Sequence, residues 1–586
     1  MLTKGLKLTA MYAFDVYNEI HVHQDRAEST YNFLDTSVPY DMNGQPILQR
    51  IYEGSNVLSY TQETSGNKKT YLEASLNYDR TFNDDHRVSA LFLFNQQSKL
   101  LYPKGTLEDA IPYRMMGIAG RATYSWKDRY FAEFNIGYNG AENFSPKHRF
   151  GTFPAFGVGW VVSNEKFWQP LSKAVSFLKI RYTDGKVGNS EVSDRRFMYL
   201  DQMKENGDYG YKFGPNGTKW SGYETVNMAV DLIWEESRKQ DLGIDLKLFN
   251  DDLSIVFDLF KERRENILLK REHSIPSFLG YNTSAPYGNI GIIENKGFDG
   301  TIEYNKRINK DWVIALRGNV TFNKDKWIQG ELPEQKYEWM NQYGHNINGV
   351  KGYVAEGLFT QAEIDDMARW ESLSDANKAI TPKPFASQFG TVKAGDIKYK
   401  DLNNDGQIDA YDQTYISRGD VPTTVYGFGF TVGWKDLSVG MMFQGVAGAE
   451  RVLNGSSVNP FNGGGGSGNL YSNIGDRWTE ENPDQNAFYP RLSYGSETTS
   501  NINNFQKSTW WVRNMNFLRL KTLQISYNLP KPWVNKVHLK NAAVYVMGTN
   551  LFTLSRFKLW DPELNTDNGA SYPNTTSYSV GINFTF

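Results

Sequence analysis

Between Asp401 and Asp412 the chain reads Asp401-Leu402-Asn403-Asn404-Asp405-Gly406-Gln407-Ile408-Asp409-Ala410-Tyr411-Asp412. Side-chain oxygens stand at positions 1, 3, 5, 9 and 12 of this run, and Gly406 at position 6 permits a sharp turn. That spacing is the one an EF-hand-type loop uses to wrap a hard cation. Calcium takes about six to eight oxygens, and the pattern assigns Asp401, Asn403, Asp405, Asp409, Asp412 and the Gln407 carbonyl as ligands. Asp412 departs from it, because a short Asp stands where a bidentate Glu is usual. A solvated acidic turn would use the same residue types, so the expectation of Ca2+ rests on the spacing. An ion held here would stiffen a loop and bring no catalysis.

Other chemistry is sparse. His21-Val22-His23 puts two imidazoles on one strand face, but two ligands do not complete a metal site. Glu235, Glu236 and Glu262 lie near Arg238, Arg263 and Arg264, which reads as solvated charge on strand ends or loops. A carboxylate pair could cleave a glycoside at the right separation, yet nothing in the sequence places one. No G-x-S-x-G, Walker A, H-E-x-x-H or dinucleotide fingerprint occurs. Cysteine is absent, which removes disulfides and thiolate chemistry. The expectation is a protein that is not an enzyme. A net charge of -3 over 586 residues offers no field for nucleic acid.

The elements that must position these groups are strands. The chain ends Ser577-Tyr578-Ser579-Val580-Gly581-Ile582-Asn583-Phe584-Thr585-Phe586. A two-residue period sends Tyr578, Val580, Ile582, Phe584 and Phe586 to one face and the small or polar residues to the other. One face suits lipid and the other water, as in an outer-membrane barrel strand. Ala122 to Trp126, the turn Lys127-Asp128 and Tyr130 to Tyr138 make a hairpin of the same kind. It recurs around Lys435-Asp436 and Asn250-Asp251-Asp252. Trp312 and Trp533 also closely follow short turns, where an interfacial aromatic girdle requires them.

Fifteen per cent aromatics and 52 glycines in a chain of polar mean hydropathy describe many strands and wet loops. No apolar run reaches the roughly 18 residues of a membrane-spanning helix, so a closed barrel is the way such a chain would span. The alternation predicts an all-β transmembrane antiparallel barrel domain over 1–586, with about sixteen strands. Long connections are expected over 17–69, 188–238, 265–294, 325–423 and 445–508, the fourth carrying the calcium-like run. The glycine run Phe461 to Gly468 falls in the last of them. Short turns at one end and long loops at the other are the asymmetry of bacterial barrels, with the long loops extracellular.

Several segments together resemble the SusC/RagA-like TonB-dependent outer-membrane transporters. They are Arg149-Phe150-Gly151-Thr152-Phe153-Pro154-Ala155-Phe156-Gly157-Val158-Gly159-Trp160 with Asn164-Glu165-Lys166-Phe167-Trp168; Asn289-Ile290-Gly291 with Asn295-Lys296-Gly297-Phe298; Gly395-Asp396-Ile397-Lys398-Tyr399-Lys400-Asp401; and Phe517-Leu518-Arg519-Leu520-Lys521. The resemblance implies a barrel of about 22 strands around an N-terminal plug, of which this chain would supply the C-terminal portion. It also implies residence in the outer membrane and a SusD-like surface lipoprotein as lid. Oligosaccharide or peptide substrates, and energy from the TonB complex through the plug, are the other implied partners. The ending resembles the signal read by the barrel assembly machinery, with Phe586 as the handle. Plug and TonB box are expected to precede Leu6, so the chain alone is expected not to transport. The rival from another class is a secreted, calcium-stabilised β-rich adhesin or glycan-binding protein.

Overall fold

The computed structural model describes residues 4–34, 37–102, 110–191, 196–212, 214, 217–276, 278, 285–455, 458, 460, 472–493 and 502–586. The run Phe461 to Gly468 lies outside them. Sixteen strands form one antiparallel sheet in strict chain order. They are β1 (Leu6–His23), β2 (Thr61–Phe82), β3 (His86–Tyr102), β4 (Tyr113–Trp126), β5 (Tyr130–Ala141), β6 (Phe150–Val161), β7 (Val175–Asn189) and β8 (Glu235–Leu248). The second half is β9 (Leu253–Lys270), β10 (Tyr287–Arg307), β11 (Trp312–Gln329), β12 (Thr424–Trp434), β13 (Leu437–Ala447), β14 (Phe517–Asn528), β15 (Asn541–Ser555) and β16 (Ser577–Thr585). Among the described residues β1 pairs only with β2 and β16 only with β15, so the sheet has two free edges.

The period of two sorts the faces. Ile180, Ile244, Phe257, Gly300, Val320 and Tyr426 lie directly opposite one another across β7 to β12. The next row holds Tyr182, Leu242, Leu259, Phe298 and Phe322. Leu242 and Leu259 are exposed to 44% and 48%, which a water-facing wall would not leave uncovered. The alternate row runs Arg181, Gly243, Asp258, Asp299 and Thr321. There the Arg181 guanidinium reaches Asp241 at 3.3 Å, Asp245 at 3.4 Å and Asp258 at 2.6 Å. A cation bound to three carboxylates belongs on the wet inner face, because charge on the lipid face costs several kcal/mol.

Tight turns join the strands at one end. Lys127 and Asp128 take φ of 54° and 50°, and Asn83 and Asp84 take 49° and 58°, the left-handed geometry that matches the twist of paired strands. Aromatic rings gather just above these turns. Trp126 stacks on Tyr130 at 5.7 Å, Tyr130 on Trp160 at 6.3 Å, and Trp312 meets Trp434 at 6.1 Å. Trp533 is not part of this row of strand ends: it sits exposed on a short helix, Lys531–Lys536.

Strands outrun the apolar rows at the other end. β1 continues to His23 and β2 begins at Thr61, so the expected loop over 17–69 shrinks to 24–60. Likewise β9 reaches Lys270 and β10 starts at Tyr287, inside the expected 265–294 connection. Once both faces of a strand meet water, nothing requires alternation, and a polar stretch such as Gln62 to Lys69 pairs without announcing itself. The expected solvated character of Glu235 is also corrected: it is buried and takes Arg264 at 3.3 Å, while Glu262 accepts from Ser237 at 2.6 Å.

Candidate functional site

The connections at the long-loop end fold onto one another. Tyr353, Leu358, Ile397, Tyr399 and Ile408 from residues 330–423 share a buried core with Leu453, Trp478, Tyr489 and Trp511 from 448–516 and Phe557 from 556–576. A helix, α1 (Gln361–Glu371), stands against it, its N-terminus fixed by a reciprocal capping box between Thr360 and Glu363. The Lys398 ammonium and the helix-cap hydrogen bonds hold the Glu363 carboxyl below the ordinary range against the opposing effect of burial, which is the largest influence on it.

The core is pinned by charge. Asp396, 1% exposed, receives both Nε and Nη2 of Arg491 at 3.0 Å, Asn504 Nδ2 at 2.9 Å and the Lys393 N–H at 2.8 Å. Asn504 accepts the Ile397 N–H at 2.9 Å, and Asn503 donates to the Ile397 carbonyl at 2.7 Å. Tyr399 donates its hydroxyl to the Asn503 carbonyl, and burial pushes its pKa far up, so it stays a donor. Gly395 adopts φ +83°, and the Trp478 ring lies where a Cβ would be. Gly395, Asp396, Ile397 and Tyr399 are thereby fixed in the cap by these contacts.

The calcium-like run follows this segment directly. Ile408 is buried in the cap core, Ser387 donates to the Gly406 carbonyl at 2.9 Å, and Ile408 donates to the Ser387 carbonyl at 2.8 Å. Asp412 is fully buried, accepting from the Leu402 N–H at 2.7 Å and the Asp409 N–H at 2.8 Å. Asp401 accepts from the Gly406 N–H at 2.7 Å through Oδ2, while its buried Oδ1 has no hydrogen-bond partner. Burial holds the Asp412 carboxyl above the ordinary carboxylate range, and the adjacent Asp401 charge adds to the shift. Asn403 and Asp405 bond each other at 2.8 Å, and Asp409 caps the short turn Ala410–Asp412 by accepting from Tyr411. Gln407 bridges to Ser387. So the fold brings Asp401 and Asp412 together and leaves Asn403, Asp405 and Asp409 satisfied locally. Among the described residues no three carboxylates or imidazoles are gathered as a metal cluster. An all-oxygen set with an orphaned buried carboxylate oxygen fits a hard cation. His21 and His23 stack at 6.3 Å, with Glu19 on His21 at 2.8 Å.

Two features escaped sequence reasoning. Tyr337 stacks on Trp339 at 4.6 Å, with Tyr411 edge-on to Tyr337 at 5.9 Å and Lys336 over the Tyr411 ring. This aromatic step is assembled across more than seventy residues of chain, beyond any local pattern. On the inner rim, Gln97, Lys99, Tyr113, Glu142 and Arg196 line a cleft of about 730 Å³. Arg196 lies over the Tyr113 ring at 4.0 Å and donates to the Pro112 carbonyl at 3.2 Å. Pockets of this size take small ligands when polar groups converge on them.

Comparison with known proteins agrees with the wall. No family model matches. TonB-dependent receptor P3 of Formosa agariphila is 25% identical over 501 residues, 80% of this chain and 45% of that protein. TonB-dependent receptor SusC of Bacteroides thetaiotaomicron is 23% identical over 483 residues, 80% of this chain and 43% of that one. The chain spans about half the length of the curated relatives it matches. The structure of the RagAB peptide transporter superposes with a TM-score of 0.72 at 19% identity, covering all of this chain and 60% of that one. A single meander with an apolar outside, a charged inside and packed loops at one end is similar to the barrels of TonB-dependent receptors. Its likenesses in sequence and fold are to the SusC/RagA-like branch of that class.

Proposed function

We propose that the chain is the outer-membrane wall and loop cap of an importer for oligosaccharides or peptides. The observation that carries this reading is the sheet's two-sidedness: lipid-compatible rows outside, the Arg181 carboxylate cluster inside, and a cleft at the loop rim. The long-loop end faces outward, and a SusD-like lipoprotein covers it. The aromatic step of Tyr337, Trp339 and Tyr411 is the surface we assign to substrate or lid contact, since rings stack on sugars and on side chains alike. No catalytic step is assigned to it. Phe586 serves as the handle for barrel assembly, and its deletion should deplete the protein from outer-membrane fractions. Undiminished levels would remove that role.

Free edges at β1 and β16 leave backbone donors and acceptors unpaired in lipid, so closure requires further strands. Residues 1–586 exported alone should give no uptake of labelled maltooligosaccharides or oligopeptides. Joined to the plug and early strands of a SusC-like receptor, with a SusD-like partner, they should give uptake that depends on TonB. Uptake by the segment alone, or uptake indifferent to TonB, would overturn the reading.

We also propose that Asp401, Asn403, Asp405, the Gln407 carbonyl, Asp409 and Asp412 bind structural Ca2+ once Asp405 and Asp409 swing inward. A carboxyl raised in the folded state adds stability that is full below its unfolded value and lost as pH rises through the folded one. Chelated protein should therefore protect this turn from protease best in acid, and progressively less toward neutrality as Asp412 ionises. Calcium should restore neutral-pH protection, and Asp401→Asn with Asp405→Asn should abolish that restoration. Equal protection with chelator and with calcium would sink the site.

A further inference from the structure

Above the apolar rows of β9 to β11 the outward face changes sign abruptly. Lys261, Lys296 and Lys324 stand directly opposite one another in one row, and Arg263, Glu294 and Lys326 form the next. Glu294 is shared by Lys261 at 3.3 Å and Lys326 at 3.6 Å, and Arg263 is held by Glu265 at 2.6 Å. Lys296 and Lys324 are exposed, and the Lys296 ammonium lies near enough for its charge to act on Glu294, which Lys261 and Lys326 already share. Five cations thus face two carboxylates at the border between lipid rows and water. On β3 and β4 the outward row that holds Gln96, Ser98 and Met116 carries one cation, Arg114, and it is paired with Glu142 at 3.4 Å.

Directly beneath it the wall is hollowed. Gly300 and Gly318 floor an apolar groove of about 380 Å³ whose sides are Phe257, Ile302, Val320 and Phe428. A Cβ on Gly300 would touch Val320 and Phe257, and one on Gly318 would meet Ile302 at 3.3 Å, so side chains there would fill it. Gly300 lies four residues below Lys296, about 13 Å of strand. An excess of exposed ammonium groups at the rim and an apolar trough below it are complementary to a molecule with an anionic head and an apolar chain.

We infer that β9 to β11 carry a binding site for an acylated, phosphorylated glycolipid of the outer leaflet, phosphate on Lys296, Lys324 and Lys326 and one acyl chain in the Gly300–Gly318 groove. This rests on the outer-membrane placement proposed above. Two phosphate oxygens bridging adjacent lysines form charge-assisted hydrogen bonds that a neutral headgroup cannot supply, and the groove selects a chain over a free anion. The ligand would cover part of the wall that detergent otherwise wets.

Protein extracted from membranes in nonionic detergent is incubated with bisphosphorylated lipid A, its dephosphorylated form, or inorganic phosphate, and retained lipid is read by native mass spectrometry. Bisphosphorylated lipid A should be held at one per chain, at least tenfold tighter than the dephosphorylated form, and phosphate should not compete at equal concentration. Lys296→Gln with Lys324→Gln should erase the preference for phosphate. Gly300→Leu with Gly318→Leu should weaken retention tenfold while leaving every charge in place. Equal retention by all variants would mean annular lipid only, and competition by phosphate would mean a bare anion patch; either overturns the site. Recovery of the chain in the soluble fraction would instead overturn the membrane placement.

Discussion

Arg519→Ala should detach the final loop from the wall at a cost of about 3–5 kcal/mol, the penalty for breaking a buried ion pair by removing one partner. The guanidinium is 1% exposed on β14, where Nε donates to Thr553 at 2.9 Å and the two Nη groups hold Glu563 and Asp561. Asn574 also donates to Asp561 at 3.2 Å, so the substitution releases two carboxylates and the segment that presents them. Protease cleavage within 556–576 should rise sharply while heat-modifiable barrel remains. Arg519→Lys should restore little, because an ammonium lacks the planar fork that meets both acids and Thr553 at once. Unchanged cleavage in Arg519→Ala would show that the loop is held elsewhere.

Gly395→Ala should unfold the cap locally by two additive routes. A non-glycine residue at φ +83° carries about 1–3 kcal/mol of backbone strain. Its methyl would also fall about where the Trp478 ring lies, 2.2 Å from the nearest ring carbon, and overpacking adds about 1–3 kcal/mol more. Gly395 cannot drift away, since its N–H donates to Phe359 and its carbonyl accepts from Arg491 at 2.7 Å. Quenching and exposure of Trp478 would report the change. With Trp478→Ala as the common background, protease cleavage of the cap should show only the backbone part of the Gly395→Ala cost, and no difference there between Gly395 and the Gly395→Ala variant would show that the backbone angle is unstrained.

The wall was readable from sequence wherever its two faces meet different solvents. Ile244 and Leu242 alternate with Asp245 and Asp241, as the proposed placement with lipid on one side and water on the other requires. Above that zone the constraint lapses, and β2 from Gln62 to Lys69 reads like loop although it pairs residue for residue with β1. The resemblance motifs fall on contacts that no local pattern reveals. Phe153 packs in a second buried cluster with Phe144 and Trp234, and Asn289 bridges the Ile233 backbone and the Asn266 carbonyl. Glu165 gathers Tyr130, Trp160 and Arg129 at the opposite end, the Tyr130 hydroxyl chiefly holding its carboxyl below the ordinary range. The spacing of the calcium-like run was legible; that Asp412 would be buried and Asp405 turned to Asn403 was not, because burial there depends on distant Ser387 and the cap core.

The composition of that cap core also sets an order of events. Tyr353 and Phe557 belong to one packed cluster, yet wall strands β12 to β15 are laid down between them. Contacts so far apart in sequence form slowly, because a long chain must be closed before they return any stabilisation. Phe557 therefore joins the cap only after β15 has been placed, whereas the other buried members, from Tyr353 to Met515, all precede β14. Most of that core can thus pack before its last contributor arrives, and the segment 556–576 is the final piece to close over it.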